Sequence, residues 1–184
     1  ESGALNLVPL MIGTNRDEWK MFTLFDRKRR NLDEATLRAY LGRTFAADRL
    51  SKTPLQGSAE WVDEVVGIFG RACDGASRDP SEAWIAFQGA RVFHFPAVRL
   101  ADAQSKAGAP TWVYRFDGRA ALLKKRLGAC HALEVPFVFG SLRAPWLLPW
   151  LGYSPAARNL SDEMQDVWVS FARKGRPSPE RGLR

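Results

Sequence analysis

Leu7-Val8-Pro9-Leu10-Met11-Ile12-Gly13-Thr14-Asn15-Arg16-Asp17-Glu18 is the stretch on which the fold turns. Leu7 to Ile12 form a short apolar run closed by the turn residues Gly13-Thr14-Asn15, the pattern of a strand buried on both faces. Such strands belong to the parallel sheets of α/β proteins. Pro9 has no N–H to give a ladder, so it fits near the start of the strand. Arg16, Asp17 and Glu18 follow at the C-terminal end, where open α/β sheets build their sites.

The next segments are helical. Residues 33–45 place Leu37, Tyr40 and Leu41 on one face, with Asn31 or Asp33 as cap. Residues 57–73 repeat the spacing with Trp61, Val65, Ile68 and Phe69. Asp74-Gly75 and Asp79-Pro80 punctuate the chain. A long helical pattern then runs from a Ser81 cap to Ala107, with Trp84, Phe87 and Val92 inside. Pro96 should kink or split it, because proline lacks the amide hydrogen and crowds the preceding turn. Thr111-Trp112-Val113-Tyr114-Arg115-Phe116 reads as a second strand from its β-branched and aromatic content. A loop with Gly118 and Gly128 leads to His131. The Pro- and Trp-rich segment 145–153 is irregular. Ser161 opens a last helix, with Met164, Trp168 and Phe171 on one face and Asp162 and Glu163 in its first turn, and Gly175 ends it. Two strands among so many helices do not make a self-sufficient sheet, so the chain reads as part of a larger α/β domain.

The composition agrees with a packed protein. Of 184 residues, 46% are apolar and 26% charged, which excludes a disordered tail. Seven Trp and eleven Phe need a large core or a concave apolar site. The net charge is +7, yet the Lys and Arg are scattered outside Arg27-Lys28-Arg29-Arg30 and Lys124-Lys125-Arg126. They read as solvated faces and not as a nucleic-acid surface. The two cysteines, Cys73 and Cys130, form neither a disulfide framework nor a zinc pattern, and no cofactor motif is present. They fit a reducing compartment, which favours the cytoplasm. The first residues are Glu1-Ser2-Gly3 and not Met, which reads as a processing, cloning or sequencing boundary and leaves export open. No apolar run is long enough to span a membrane.

His94 and His131 are the only histidines. His94 sits inside the long helical pattern between Phe93 and Phe95 and reads as a packed or partly exposed helix residue. His131 lies in Gly128-Ala129-Cys130-His131-Ala132-Leu133-Glu134, a loop after a strand, and from the residues alone it reads equally as a functional group and as a plain loop histidine. A histidine base needs an acid to fix its tautomer, and Asp17, Glu18 and Glu134 are all candidates. An acid after one strand and a histidine after a later one follow the α/β-hydrolase order of Ser, then Asp or Glu, then His. The G-x-S-x-G elbow that should precede them is absent; Gly75-Ala76-Ser77-Arg78-Asp79 lacks the second glycine and follows a helix, and Ser2 is the only serine upstream of Glu18. Cys130 beside His131 invites a Cys–His dyad, but a small, partly buried thiol is the better reading, because neighbouring loop residues point apart.

Val8 to Trp19 resembles the segment around the acid of the type B carboxylesterases, the family of cholinesterases and bacterial para-nitrobenzyl esterases. Gly128 to Gly140 resembles the segment around their histidine. Ser161 to Trp168, with Phe171-Ala172 and Gly175-Arg176-Pro177, is similar to their late helix. Tyr114-Arg115-Phe116 is similar to their last strand, and Arg91 to Gln104 also fits. The resemblance covers nearly the whole chain.

It implies the C-terminal portion of an α/β-hydrolase fold: the last core strands plus helices, incomplete without an N-terminal half. Residues 1–184 would be the C-terminal part of a single domain, with a helical insertion at about 26–107. By position Glu18 would be the triad acid and His131 the general base. Asp17 would be a structural residue of the same turn, and Glu134 would anchor the loop after the histidine. The family commonly has Gly where this chain has Trp19. The implied function is a serine carboxylesterase acting on small-molecule esters without a cofactor or metal. The serine and oxyanion hole would come from the missing N-terminal half, leaving this chain inactive alone. The alternative is a non-catalytic cholinesterase-like interaction domain. Trp146, Trp150 and Tyr153 could line an acyl or alcohol pocket, but core packing is the favoured reading.

Overall fold

The computed structural model describes residues 7–47, 58–70, 79–121 and 123–178. Ser2, Cys73 and Ser77 lie outside these residues. The chain separates into two compact units, residues 1–21 with 91–184, and residues 22–90.

The first unit is built on two parallel strands, β1 (Leu10–Asn15) and β2 (Thr111–Phe116), paired from Leu10 with Thr111 to Asn15 with Phe116. β2 has the bounds expected of it. β1 is shifted: it begins only after Pro9 and runs on through Gly13-Thr14-Asn15, which the sequence suggests as a turn. Proline explains the start, because the Leu10 N–H is the first donor available, and it bonds the Pro110 carbonyl at 2.9 Å. The ladder explains the end, since a parallel neighbour gives the polar residues backbone partners up to Phe116.

Around the strands lie α4 (Phe95–Lys106), three single-turn helices, α5 (Lys124–Leu127), α6 (Val135–Val138) and α7 (Leu148–Leu151), and the long α8 (Pro155–Lys174). α4 packs against both strands. Trp112 and Tyr114, which point to the same side of β2, meet Phe171 and Trp168 of α8 edge-on at 5.9 and 6.1 Å. Ser161 is therefore not the start of that helix. Ser154 caps it, accepting from the Ala157 N–H, and Pro155 opens its first turn. Ser161 lies inside, buried, and donates to the Phe137 carbonyl at 2.8 Å, joining α8 to α6. Its hydroxyl is used for a tertiary bond, which the local sequence cannot distinguish from a cap. Trp146, Trp150 and Tyr153 are 73%, 40% and 42% exposed, so they are not core among the described residues. The prolines of 145–149 allow only the single turn α7, which buries Leu151 alone.

The second unit holds α1 (Glu34–Ala47), α2 (Ala59–Phe69) and α3 (Pro80–Gly89). Asp33, and not Asn31, caps α1 through the Thr36 N–H at 2.7 Å. α3 begins at Asp79-Pro80 and not at Ser81. The Asp79 carboxylate accepts from the Ser81 N–H at 2.8 Å and Pro80 takes the first turn, where a missing N–H is harmless. The Ser81 hydroxyl instead accepts from the buried Leu32 N–H. Leu37, Leu41, Val62, Val65, Trp84 and Phe87 form the core of this unit, and Ile68 faces out. Past α3, residues Ala90–His94 form a π-helical turn before α4, with Pro96 in the first turn of α4. The helical pattern is thus split as proline demands, with the misfit taken up by the wider turn just before it.

No helix of the described residues is long and apolar enough to cross a membrane. Leu41 is 1% exposed at the centre of the helical core. Leu41→Ala should therefore cost about 2–5 kcal/mol by lost burial and the cavity left behind, read as a lower urea midpoint. A cost below about 1 kcal/mol would contradict the packing.

Candidate active site

Glu18 and His131 meet where the two strands end. β1 delivers Arg16, Asp17 and Glu18 directly, with Glu18 opening a 3₁₀ helix, Glu18–Thr23. The loop after β2 comes back across them. One backbone bond and one to a side chain dock it, from the Asp17 N–H to the Ala129 carbonyl at 2.9 Å and from the Ala129 N–H to Asp17 Oδ2 at 2.9 Å. Gly128 makes this approach possible. Its φ is +55°, and a methyl group there would run into the Asp17 carboxylate.

The docked loop sets His131 Nδ1 2.7 Å from Glu18 Oε2, across 113 residues of sequence. A carboxylate only accepts, so the imidazole proton lies on Nδ1 and Nε2 carries the lone pair. The Glu18 side chain is 6% exposed and that of His131 40%. The other carboxylate oxygen, Oε1, accepts from the Asn15 N–H at 2.7 Å. Both oxygens of Glu18 are therefore held. Phe93 lies against the His131 ring, centroids 4.9 Å apart and planes at 41°, and Trp19 packs behind Phe93 at 6.4 Å.

The other acids are spoken for. Burial alone would raise the Asp17 carboxyl. The Ala129 N–H, Lys20 at 3.2 Å and Arg16 at 3.0 Å outweigh that and hold it below the usual carboxylate range. Its partners make it the clamp of the loop and leave Glu18 as the acid facing the imidazole. Glu134 accepts from the Asn15 side chain, tying the far end of the loop to β1. Burial, then the negative charge of Glu134 and Glu18, pushes the Tyr114 phenol up to about 12. Cys130 is buried, and burial with the charges of Asp17, Glu18 and Glu134 pushes its thiol up to about 11. Such a thiol has almost no thiolate near neutral pH, which disposes of the Cys–His dyad.

His94 is a partly exposed helix residue, as its sequence setting suggests, and it also has a tertiary partner. From its π-helical turn, its Nε2 reaches the Asn15 carbonyl at 3.0 Å, so it touches the strand end that carries the site. Asn15 and Phe93 were also hidden in the sequence. Asn15 reads as a turn residue and Phe93 as one more aromatic on a helix, and the one available signal is that Asn15 lies three residues before Glu18. Cavities of about 340 and 260 Å³ occur in the 22–90 unit, and neither is lined by Glu18 or His131. Among the described residues no group of three or more His, Cys, Asp or Glu is placed to hold a metal ion.

A model described as the Carboxylesterase family matches residues 1–184. The para-nitrobenzyl esterase of Bacillus subtilis (strain 168) is 33% identical over 181 residues, 97% of this chain and 32% of that protein. Carboxylesterase 1D of Rattus norvegicus is 27% identical over 95% of this chain and 30% of its own length. Among solved structures, a Geobacillus stearothermophilus carboxylesterase at pH 6.2 superposes with a TM-score of 0.73 at 31% identity, covering 96% of this chain and 33% of that one. A para-nitrobenzyl esterase structure gives 0.64 at 32% identity. The chain thus spans about a third of the length of these relatives, and it forms part of their α/β-hydrolase fold.

Two expectations test the loop. The depressed Asp17 carboxyl adds stability that is present above the ordinary value of 3.8 and is lost as pH falls through its lowered value. In urea titrations from about pH 6 to about pH 2, the deficit of Asp17→Asn against the unsubstituted chain should shrink toward acid; a pH-independent deficit would contradict the clamp. Ala132, next to the histidine, has φ +63°. Ala132→Gly should raise stability by about 1 kcal/mol by removing the left-handed strain, and a lower urea midpoint would show that no strain is stored there.

Proposed function

This chain belongs to the carboxylesterase family, and from that premise we propose that it supplies the acid and the base of a serine carboxylesterase, Glu18 and His131. The observation that carries the reading is the bond between His131 Nδ1 and Glu18 Oε2 at 2.7 Å, made by a buried carboxylate to a part-exposed imidazole. In this reading residues 1–184 are the C-terminal part of a single α/β-hydrolase domain, with a helical insertion at about 26–107. The serine comes from an N-terminal segment outside these residues. Three observations support that. The sequence holds no G-x-S-x-G elbow, the chain spans about a third of its relatives, and Val113 and Phe139 stand 57% and 76% exposed beside the site's own elements. The two cysteines favour a reducing compartment for the protein.

The chemistry is two-step acyl transfer. A serine hydroxyl attacks the ester carbonyl as His131 Nε2 takes its proton. Glu18 holds the imidazole in the tautomer that leaves Nε2 basic and stabilises the imidazolium once formed. His131 then protonates the departing alcohol, and water, activated by the same nitrogen, releases the acid. The carbonyl oxygen's negative charge must be met by donors outside this chain. A non-catalytic interaction domain would have no use for a buried acid aligned on a histidine, and the dyad geometry favours the enzyme reading over it.

The test is complementation. The 184-residue chain should not hydrolyse p-nitrophenyl acetate above its His131→Ala control. Joined to the upstream segment of its own gene, it should, and His131→Ala or Glu18→Gln should then lower kcat on the order of 10⁴-fold or more. Robust His131-dependent turnover by the 184 residues alone would sink the external serine. Turnover in the joined protein that ignores His131 would sink the triad.

A further inference from the structure

We propose that Asn15 is the positioning residue of this site, setting both the acid and the base without touching substrate. The inference rests on the Glu18–His131 pairing and adds to it the group that holds the pair in register. Asn15 is 1% exposed, one of the most deeply buried polar side chains described. Its N–H and its side-chain amide both run to the site. Its N–H donates to Glu18 Oε1 at 2.7 Å. Its side-chain amide donates to the Cys130 carbonyl at 2.7 Å and to Glu134 Oε2. Its carbonyl accepts from His94 Nε2 at 3.0 Å, which fixes the His94 proton on that nitrogen.

The logic is geometric. The two amide hydrogens grip the residue before His131 and the residue three after it, so the segment carrying the base is held at both ends from one side chain. The backbone N–H of the same residue holds one oxygen of the acid, which leaves the other oxygen for the imidazole. Acid and base are thus referenced to one residue, and that residue is fixed by its ladder position opposite Phe116 and by His94 behind it. Both side-chain partners are acceptors, so the site needs a double donor there. Asp has the same shape and cannot donate, and at this position it would set a further negative group against Glu134 and the Cys130 carbonyl.

The experiment is imidazole ¹⁵N–¹H NMR on the 184-residue chain, reading the His131 Nδ1–H that bonds a carboxylate and the pH midpoint of His131. The carboxylate bonded to His131 is Glu18, with Asp17 and Glu134 at the two ends of the same loop, and Glu18→Gln supplies the reference for a lost partner. In the unsubstituted chain the Nδ1–H should be visible and slow to exchange. In Asn15→Asp and Asn15→Ala its exchange should quicken about tenfold or more, a factor worth about 1.4 kcal/mol. In Asn15→Ala, which adds no charge, the His131 midpoint should move toward that of Glu18→Gln. Leu41→Ala, destabilised in the other unit, should leave both readouts unchanged, which separates positioning from general loss of stability. A His131 Nδ1–H in Asn15→Asp that exchanges as in the unsubstituted chain overturns the role of Asn15 and leaves the pair intact. Absence of the bonded proton from the unsubstituted chain overturns pair and role together. Equal disturbance by Leu41→Ala also overturns the role. Asn15→Asp keeps the side-chain volume and is the second variant should Asn15→Ala fail to fold.

Discussion

The parallel ladder between β1 and β2 is the constraint from which the site follows. Parallel strands end on the same side, so pairing Asn15 with Phe116 brings the residues after each strand together although they are about a hundred positions apart. The acid needs only three more residues to appear, at Glu18. His131 arrives through a longer path, and two hydrogen bonds between Asp17 and Ala129, one of them to the Asp17 carboxylate, close it. A shift of register by one residue would turn Asn15, Asp17 and the core-facing aromatics to the other side of the sheet, and would separate the pair. The two aromatic contacts between β2 and α8 oppose such a slip, because Trp112 and Tyr114 must both face the helix to make them.

Three carboxylates close to one histidine would be unstable if each lacked compensation, since a buried unpaired charge costs several kcal/mol. The chain meets this separately for each. Asp17 has Arg16, Lys20 and the Ala129 amide. Glu18 has the Asn15 N–H and the imidazole. Glu134 has the Asn15 side chain. Burial first, and then the charges of these carboxylates, raises the Tyr114 phenol and the Cys130 thiol, which disfavours a thiolate beside the imidazole.

The elements decided by local sequence are legible from the residues alone. β2 is one, since its aromatic and β-branched run can only be a strand, and α1 is another, with its period of leucines. The errors fall where a side chain has two possible uses. Ser81 and Ser161 both look like helix caps, and both are spent on tertiary bonds, to Leu32 and Phe137, while Asp79 and Ser154 do the capping. Polar Thr14 and Asn15 look like a turn and are strand, because the parallel neighbour that satisfies their backbone lies about a hundred residues away. Trp146 looks like core and is exposed. At the site the order of acid and base is legible, but the choice of Glu18 over Asp17 and Glu134 is not. It depends on partners such as Ala129 and Asn15 that no spacing rule links.

Trp19 shows how a departure from a family pattern is absorbed. The resembled family commonly has glycine after the acid, and a bulky ring there could be expected to crowd the acid–base pair. The Trp19 ring packs on Phe93, and Phe93 packs on the imidazole. The added bulk therefore packs onto the aromatic ring that itself lies against the imidazole. The Glu18 carboxylate holds the imidazole through Nδ1, and Phe93 packs against the ring. The carboxylate itself is held by the strand that delivers it, through the Asn15 N–H.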